Sequence, residues 1–466
     1  MPAVSVPIQS TPTPDAPQAE VHLSEVLSAL SHALDLTEGQ PLGHSVRSCL
    51  IGLRIAEAAG LDVETRAALY YALLLKDAGC SSNSARMASL FGSDDGAVKY
   101  EMKFVDWHRR ASLAFRTLQH CGGGRDPFTR VRHFLQIART PQMTREVMQT
   151  RCERGADIAS RLGFPLDTAG AIRALDEHWC GLGHPVGLRG DDIPVLARIA
   201  NLAQTVEAFH ARYGHRKALA VAHARSGTWF DPRLVDALLK VGQDRRWWAD
   251  LGASDVTARA AAADPSPRRL QVDGQGLTAI AQAFAEIIDA KTPYTYKHSS
   301  NVADFALGIA RELGMSPDEQ TRLYRAGLLH DIGKLGVSNR VLDKPGRLTD
   351  DERAAVERHP RFTWEILSRV TAFDDFAWLA AVHHEKLDGS GYPWGLTAER
   401  LDRSARVLAI ADIYEALTAD RPYRAGMTPA QAMAIIDRDV AGGKLCSDSA
   451  AALTRHVALQ VAAAAA

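Results

Sequence analysis

LYRAGLLHDIG at residues 323–333 repeats LYYALLLKDAG at residues 69–79, an offset of 254. The same offset pairs His44-Ser45 with His298-Ser299, Ile55-Ala56 with Ile309-Ala310, and Gly60 with Gly314. After an extra 46 residues in the first half, an offset of 208 takes over. It pairs Gly181, Gly183, Pro185 and Gly187 with Gly389, Gly391, Pro393 and Gly395, then Glu207-Ala208 with Glu415-Ala416. Self-similarity on this scale marks a duplicated structural unit. In both copies apolar residues recur at helical spacing, and no series of alternating strand-length runs bounded by turn signals is found. The sequence therefore predicts an all-α fold of two tandem helical domains. Helix start signals agree: Ser316-Pro317-Asp318-Glu319 and Thr349-Asp350-Asp351-Glu352 each place a capping residue three positions before a Glu, the first with a proline at the opening position.

Between the copies, residues 252–272 (GASDVTARAAAADPSPRRLQV) lack large apolar periodicity and read as a linker. Residues 1–20, rich in Pro, Thr, Ser and Ala, read as a disordered tail. Two domains remain, 21–251 and 273–460, which suits a chain of 466 residues. A hydrophobic fraction of 46% with 23% charged residues is globular. Lys and Arg number 54 against 55 Asp and Glu, so no broad positive field exists to grip nucleic acid. Six cysteines without a C-x-x-C pair support neither a disulfide framework nor a thiolate zinc site. No apolar run approaches the ~18 residues of a membrane span, and the start lacks the basic-then-apolar order of a signal peptide. A cytoplasmic protein that engages neither membrane nor nucleic acid is expected.

Chemistry concentrates in the second copy. His298 opens a stripe continued by Val302, Phe305 and Ile309, so its imidazole faces the core side. His330 and Asp331 continue the inner side marked by Leu323 and Gly327, His359 precedes Pro360 at a helix junction, His383 and His384 are adjacent, and Asp412 follows Leu408 by one turn. One such histidine is most often an ordinary core residue. Five, with two aspartates, within 115 residues are better explained by metal. Imidazole with carboxylate suits Fe, Mn, Zn or Ni rather than Ca or Mg alone. A carboxylate can bridge two cations, and a two-metal site suits phosphoryl displacement.

The arrangement resembles the HD superfamily of metal-dependent phosphohydrolases, and more closely its HD-GYP branch. The residues that carry the resemblance are KHS (297–299), HDIGK (330–334), His359-Pro360, HHEKLDGSGYPWG (383–395) and ADIYEALTADRPYR (411–424), within about 285 to 455. The resemblance implies a phosphodiesterase that hydrolyses cyclic di-GMP to pGpG, GMP or both. It implies His298, His330, Asp331, His359, His383, His384 and Asp412 as metal ligands, with Asp331 as the bridge. It also implies Lys334, Arg421 and Arg424 at the substrate phosphate, with Asp331 and Lys334 catalytic. One Lys and two Arg beside the metals suit a phosphate whose charge grows in the transition state. Tyr392 offers an aromatic face to a guanine or a partner protein.

Two departures from the family pattern stand out. Tyr294 occupies the position four residues before the first histidine where some members carry a third-metal Glu, so two metals are expected rather than three, with Fe or Mn ahead of Zn or Ni. Thr363 replaces the usual Gly four residues after the HP histidine and is expected to alter only local packing.

The two offsets set the seven ligand positions opposite His44, Lys76, Asp77, Arg151, Leu175, Asp176 and Gln204, and Lys334 opposite Cys80. A Lys and an Arg at ligand positions repel a cation, so the first domain reads as a degenerate, non-catalytic copy with a regulatory or dimerising role. Two other functions stay open: an HD phosphohydrolase acting on another cyclic dinucleotide or a nucleotide, and a non-catalytic receptor. The second predicts a damaged ligand set, which residues 273–460 do not have.

Overall fold

A computed structural model describes residues 22–123, 126–265, 274–293, 297–420 and 425–465. Tyr294, Arg421 and Arg424, the 1–20 tail and the end of the 252–272 stretch lie outside the described residues.

Every regular element among the described residues is helical, with only isolated bridges at Ser226–Phe230 and Asp388–Thr397, as the sequence periodicity predicts. Both expected capping boxes form, Ser316 with Glu319 and Thr349 with Glu352, and a third joins Thr428 to Gln431. All six cysteines are unpaired thiols. No helix among the described residues is long and apolar enough to cross a membrane.

The duplication extends to individual contacts. Helices His44–Ala58 and His298–Glu312 begin at equivalent residues, and Val63–Leu75 and Pro317–Leu329 end at equivalent ones. Ser45 donates its N–H and hydroxyl to Asp35 (2.9 and 2.7 Å), and Ser299 donates both to Asp289 (3.1 and 2.7 Å). Glu177 accepts from the N–H groups of Val186 and Leu188 (2.7 and 2.9 Å). Glu385 accepts from those of Trp394 and Leu396 (2.8 Å each). Gly79 and Gly333 occupy one tight approach: a Cβ would lie 1.9 Å from the Arg151 carbonyl oxygen in the first case and 2.0 Å from that of His359 in the second.

One apolar core runs through both halves, from Leu30, Leu34 and Tyr70 to Phe284, Ala303 and Leu329. Helix Leu23–Thr37 is buried on almost every side and packs on the 3-10 turn Ile332–Gly336 and on helix His359–Leu367. Nearby, buried Asp95 accepts the Asn339 N–H (2.9 Å) and lies 3.8 Å from Lys291. Part of the stretch read as a linker is a helix, Val256–Ala262, packed on Leu23–Thr37 and His44–Ala58 with Val256 and Ala260 buried. Alanines supply that packing, and they carry too weak an apolar period to show in sequence.

Candidate metal centre

Helix ends converge on one point. His298 opens helix His298–Glu312, His330 and Asp331 follow the end of Pro317–Leu329, and His359 opens His359–Leu367. His383 and His384 follow Ala377–Ala381, and Asp412 sits inside Arg403–Thr418. Six of the seven side chains are buried and His384 is partly so.

Three imidazoles are oriented by one device. Nδ1 of His330, His359 and His383 lies 2.7 Å from the carbonyl oxygen three residues upstream, on Gly327, Val356 and Ala380 respectively. A carbonyl only accepts, so Nδ1 carries the proton and the Nε2 lone pair faces the centre, as a metal ligand requires. Nδ1 of His298 is hydrogen-bonded to Glu415, which leaves Nε2 inward as well. Burial, followed by the neighbouring imidazoles, holds His383 and His384 well below the usual histidine range, so both are neutral and ready to coordinate.

Asp331 divides the cluster. Its Oδ2 lies 3.4 Å from Nε2 of both His298 and His330, while its Oδ1 lies 3.2 Å from Nε2 of His359 and 3.8 Å from that of His383. Asp412 closes the first side, with Oδ1 3.5 Å from His298 and 3.7 Å from His330, and its Oδ2 is 3.7 Å from Nδ1 of His384. Two triplets, His298-His330-Asp412 and His359-His383-His384, each bring their donor atoms within coordinating reach, one on either side of this carboxylate.

The donors fit metal rather than one another. His330 Nε2 and Asp331 Oδ1 are buried with no hydrogen-bond partner. Nε2 of His359 faces Nε2 of His383 at 3.2 Å. Two lone pairs so placed repel unless a cation lies against them, and buried polar atoms are otherwise nearly always paired.

Of the expected substrate contacts, Lys334 is partly exposed and its ammonium bonds Asp331. The Tyr392 ring lies 4.7 Å from the His384 ring, at the rim of the cluster. The glycine-rich loop is held down by Glu385 and by its own lack of side chains. A Cβ at Gly391 would sit 2.5 Å from Glu385 Cα and Lys386 N.

Sequence reading missed four supporting residues. Glu415, Asp289 and Glu385 stand behind the ligands, and each has a twin in the first half (Glu207, Asp35, Glu177), so the repeat itself was their signal. Thr363 gave none. Its hydroxyl donates to the His330 carbonyl (2.8 Å) and accepts the Gly333 N–H (3.1 Å), clasping the HD turn to helix His359–Leu367. Thr363→Val, which keeps the shape and removes both bonds, is expected to cost about 1–3 kcal/mol in a denaturant titration. An unchanged midpoint would contradict that role.

At the equivalent place in the first half, cations stand among the carboxylates. Lys76 bonds Asp77 and Arg151 bonds Asp176. Lys103 is 3.5 Å from Glu38 and 3.4 Å from Nε2 of His44. Glu38, Asp77 and Cys80 lie within reach of one another, but burial pushes the Cys80 thiol up, away from the thiolate a metal would need.

The HD domain family matches residues 136–234 and 282–444. The chain belongs to the HD domain family. It is 41% identical over 419 residues to 3'3'-cGAMP-specific phosphodiesterase 3 of Vibrio cholerae, covering 90% of this chain and 91% of the relative. It is also 41% identical over 157 residues to a cyclic di-GMP phosphodiesterase of Pseudomonas aeruginosa, covering 32% of this chain and 37% of that one. The crystal structure of a cyclic GMP-AMP specific phosphodiesterase from V. cholerae superposes with a TM-score of 0.65 at 36% identity, covering 94% of this chain and 98% of that one. Both relatives are named as phosphodiesterases of cyclic dinucleotides.

Proposed function

We propose that this HD protein is a metal-dependent phosphodiesterase that opens 3'3'-linked cyclic dinucleotides, with 3'3'-cyclic GMP-AMP preferred over cyclic di-GMP. The observation that carries the chemistry is Asp331, whose two oxygens face two separate donor triplets. The resemblance in sequence pointed to cyclic di-GMP. The substrate preference is drawn instead from the relative aligned across both halves, whose name specifies cyclic GMP-AMP.

The residues that would hold metal are His298, His330 and Asp412 on one side and His359, His383 and His384 on the other, with Asp331 offering one oxygen to each side. Two divalent transition ions held there, Fe or Mn with Zn or Ni admitted by the same donors, would supply a nucleophile at neutral pH and electrophilic stabilisation of the phosphate. Water adds across one P–O3' bond and leaves a linear dinucleotide with a 5'-phosphate and a free 3'-hydroxyl. Lys334 places its ammonium where charge grows on the non-bridging oxygens. Arg421 and Arg424 are assigned to the substrate phosphate from sequence, and Tyr392 to stacking on a base.

About two metal ions per full-length chain are expected by plasma emission spectroscopy, since Tyr294 stands where a third-metal carboxylate would be. The same full chain carrying His330→Ala and His383→Ala should lose nearly all of them, because the first half keeps only His44 and Asp77 of the seven positions. Retention of one ion per chain in that variant would place metal in the first half and contradict this reading. The preference itself is tested by kcat/KM for the two cyclic dinucleotides side by side. A value for cyclic di-GMP equal to or above that for 3'3'-cyclic GMP-AMP would overturn the proposed order.

A further inference from the structure

A basic groove lies in the first half, lined by none of the proposed metal ligands. Its volume is about 410 Å³, within the range of small-ligand pockets. Its lining carries Arg109, Arg116, Arg212, Lys217 and Arg225 against only Glu101 and Asp106. In a chain whose formal charge is −1, that is a focused positive patch.

The acids are already engaged. Glu101 pairs with Arg212 at 2.9 Å, and Asp106 accepts the Trp229 indole N–H at 3.0 Å and pairs with Arg109 at 3.4 Å. Arg225 is left over. It is only 7% exposed, its guanidinium lies 4.4 Å over the Trp229 ring, and its Nη1 is buried with no hydrogen-bond partner. Among the described residues no carboxylate comes within ion-pair distance of Arg225 or Lys217. A buried guanidinium without an acceptor is costly unless something else brings the acceptor. Burial accordingly lowers the Arg225 pKa to about 10, which still leaves it charged at neutral pH. Aromatic faces complete the groove: Phe104 lies under Arg212 at 4.5 Å, and Tyr213 is 51% exposed.

We infer that this groove binds a nucleotide without metal, its phosphate taken by Arg225, Lys217 and Arg109 and its base by the exposed ring of Tyr213. Phosphate on guanidinium and base on aromatic is the chemistry these groups share. The ligand is a nucleoside monophosphate or the cyclic dinucleotide itself, and the experiment separates the two.

The test is calorimetric titration of full-length protein stripped of metal by chelator, with 5'-GMP and with 3'3'-cyclic GMP-AMP in separate runs and inorganic phosphate as the reference anion. Saturable binding of one nucleotide is expected, at least about tenfold weaker in Arg225→Lys and in the surface double variant Arg109→Ala/Lys217→Ala, and retained in Asp331→Ala. The nucleotide bound more tightly identifies the source. Three results would overturn the inference: no saturable binding, binding no tighter than inorganic phosphate, or binding lost in Asp331→Ala while both groove variants keep it. The last result would place the nucleotide at the HD centre. Hydrolysis by the wild-type chain is measured separately, so failure of the groove leaves the proposed phosphodiesterase standing.

Discussion

Asp331→Ala is expected to lower cyclic-dinucleotide hydrolysis by about three orders of magnitude or more while leaving the helical content unchanged. The two oxygens of Asp331 face different imidazoles, Oδ2 toward His298 and Oδ1 toward His359, so in the proposed site no single neighbour would replace it. Burial opposes ionisation of this carboxyl, but Lys334 and the surrounding imidazoles outweigh it and hold the group well below the usual carboxylate range. Removing the carboxylate takes away the acid that the Lys334 ammonium pairs with. Asp331→Asn, which keeps the volume and loses the charge, separates the electrostatic role from packing and should fall nearly as far. Full hydrolysis by either variant, with an unchanged circular dichroism spectrum, would remove Asp331 from the chemistry.

Gly333→Ala is expected to damage fold and site together. The new Cβ would lie 2.0 Å from the His359 carbonyl oxygen and 2.8 Å from the Thr363 nitrogen, both main-chain atoms that no rotamer change can clear. The HD turn and helix His359–Leu367 must then part, which draws His359 away from Asp331. A loss of about 3 kcal/mol or more is expected in denaturant titrations, together with loss of bound metal. Gly79→Ala makes the corresponding collision with the Arg151 carbonyl oxygen at 1.9 Å, so it should destabilise the chain similarly while metal content stays at the wild-type value. Equal metal loss from both variants would contradict the assignment of metal to the second half alone.

The two glycines also show how much of this molecule is readable in one dimension. The duplicated all-α architecture was legible because LYYALLLKDAG and LYRAGLLHDIG keep the same apolar stripe, and a helix face depends on that period. The inward cluster was legible because its histidines occupy short strings at helix ends. What lay hidden was tertiary. Asp95 and Asn339 are 244 residues apart and meet where the two halves pack together, as helix Leu23–Thr37 meets the HD turn, and no local pattern announces either contact. Glu415 meets His298 from 117 residues away, while Asp289 and Glu385 accept from residues nine to eleven positions on, a spacing that no helical period marks. Thr363 was read as a local packing change, whereas its hydroxyl bonds the main chain on both sides of Asp331.

The most direct test of the account is to reconstitute the full-length chain anaerobically with Fe(II) or Mn(II), incubate it with 3'3'-cyclic GMP-AMP, and chromatograph the products with and without prior chelation. The account predicts conversion to a linear dinucleotide by the metal-loaded chain, none after chelation, and recovery when metal is restored. Turnover that survives complete removal of metal, or a metal-loaded chain that leaves both 3'3'-cyclic GMP-AMP and cyclic di-GMP intact, would contradict it.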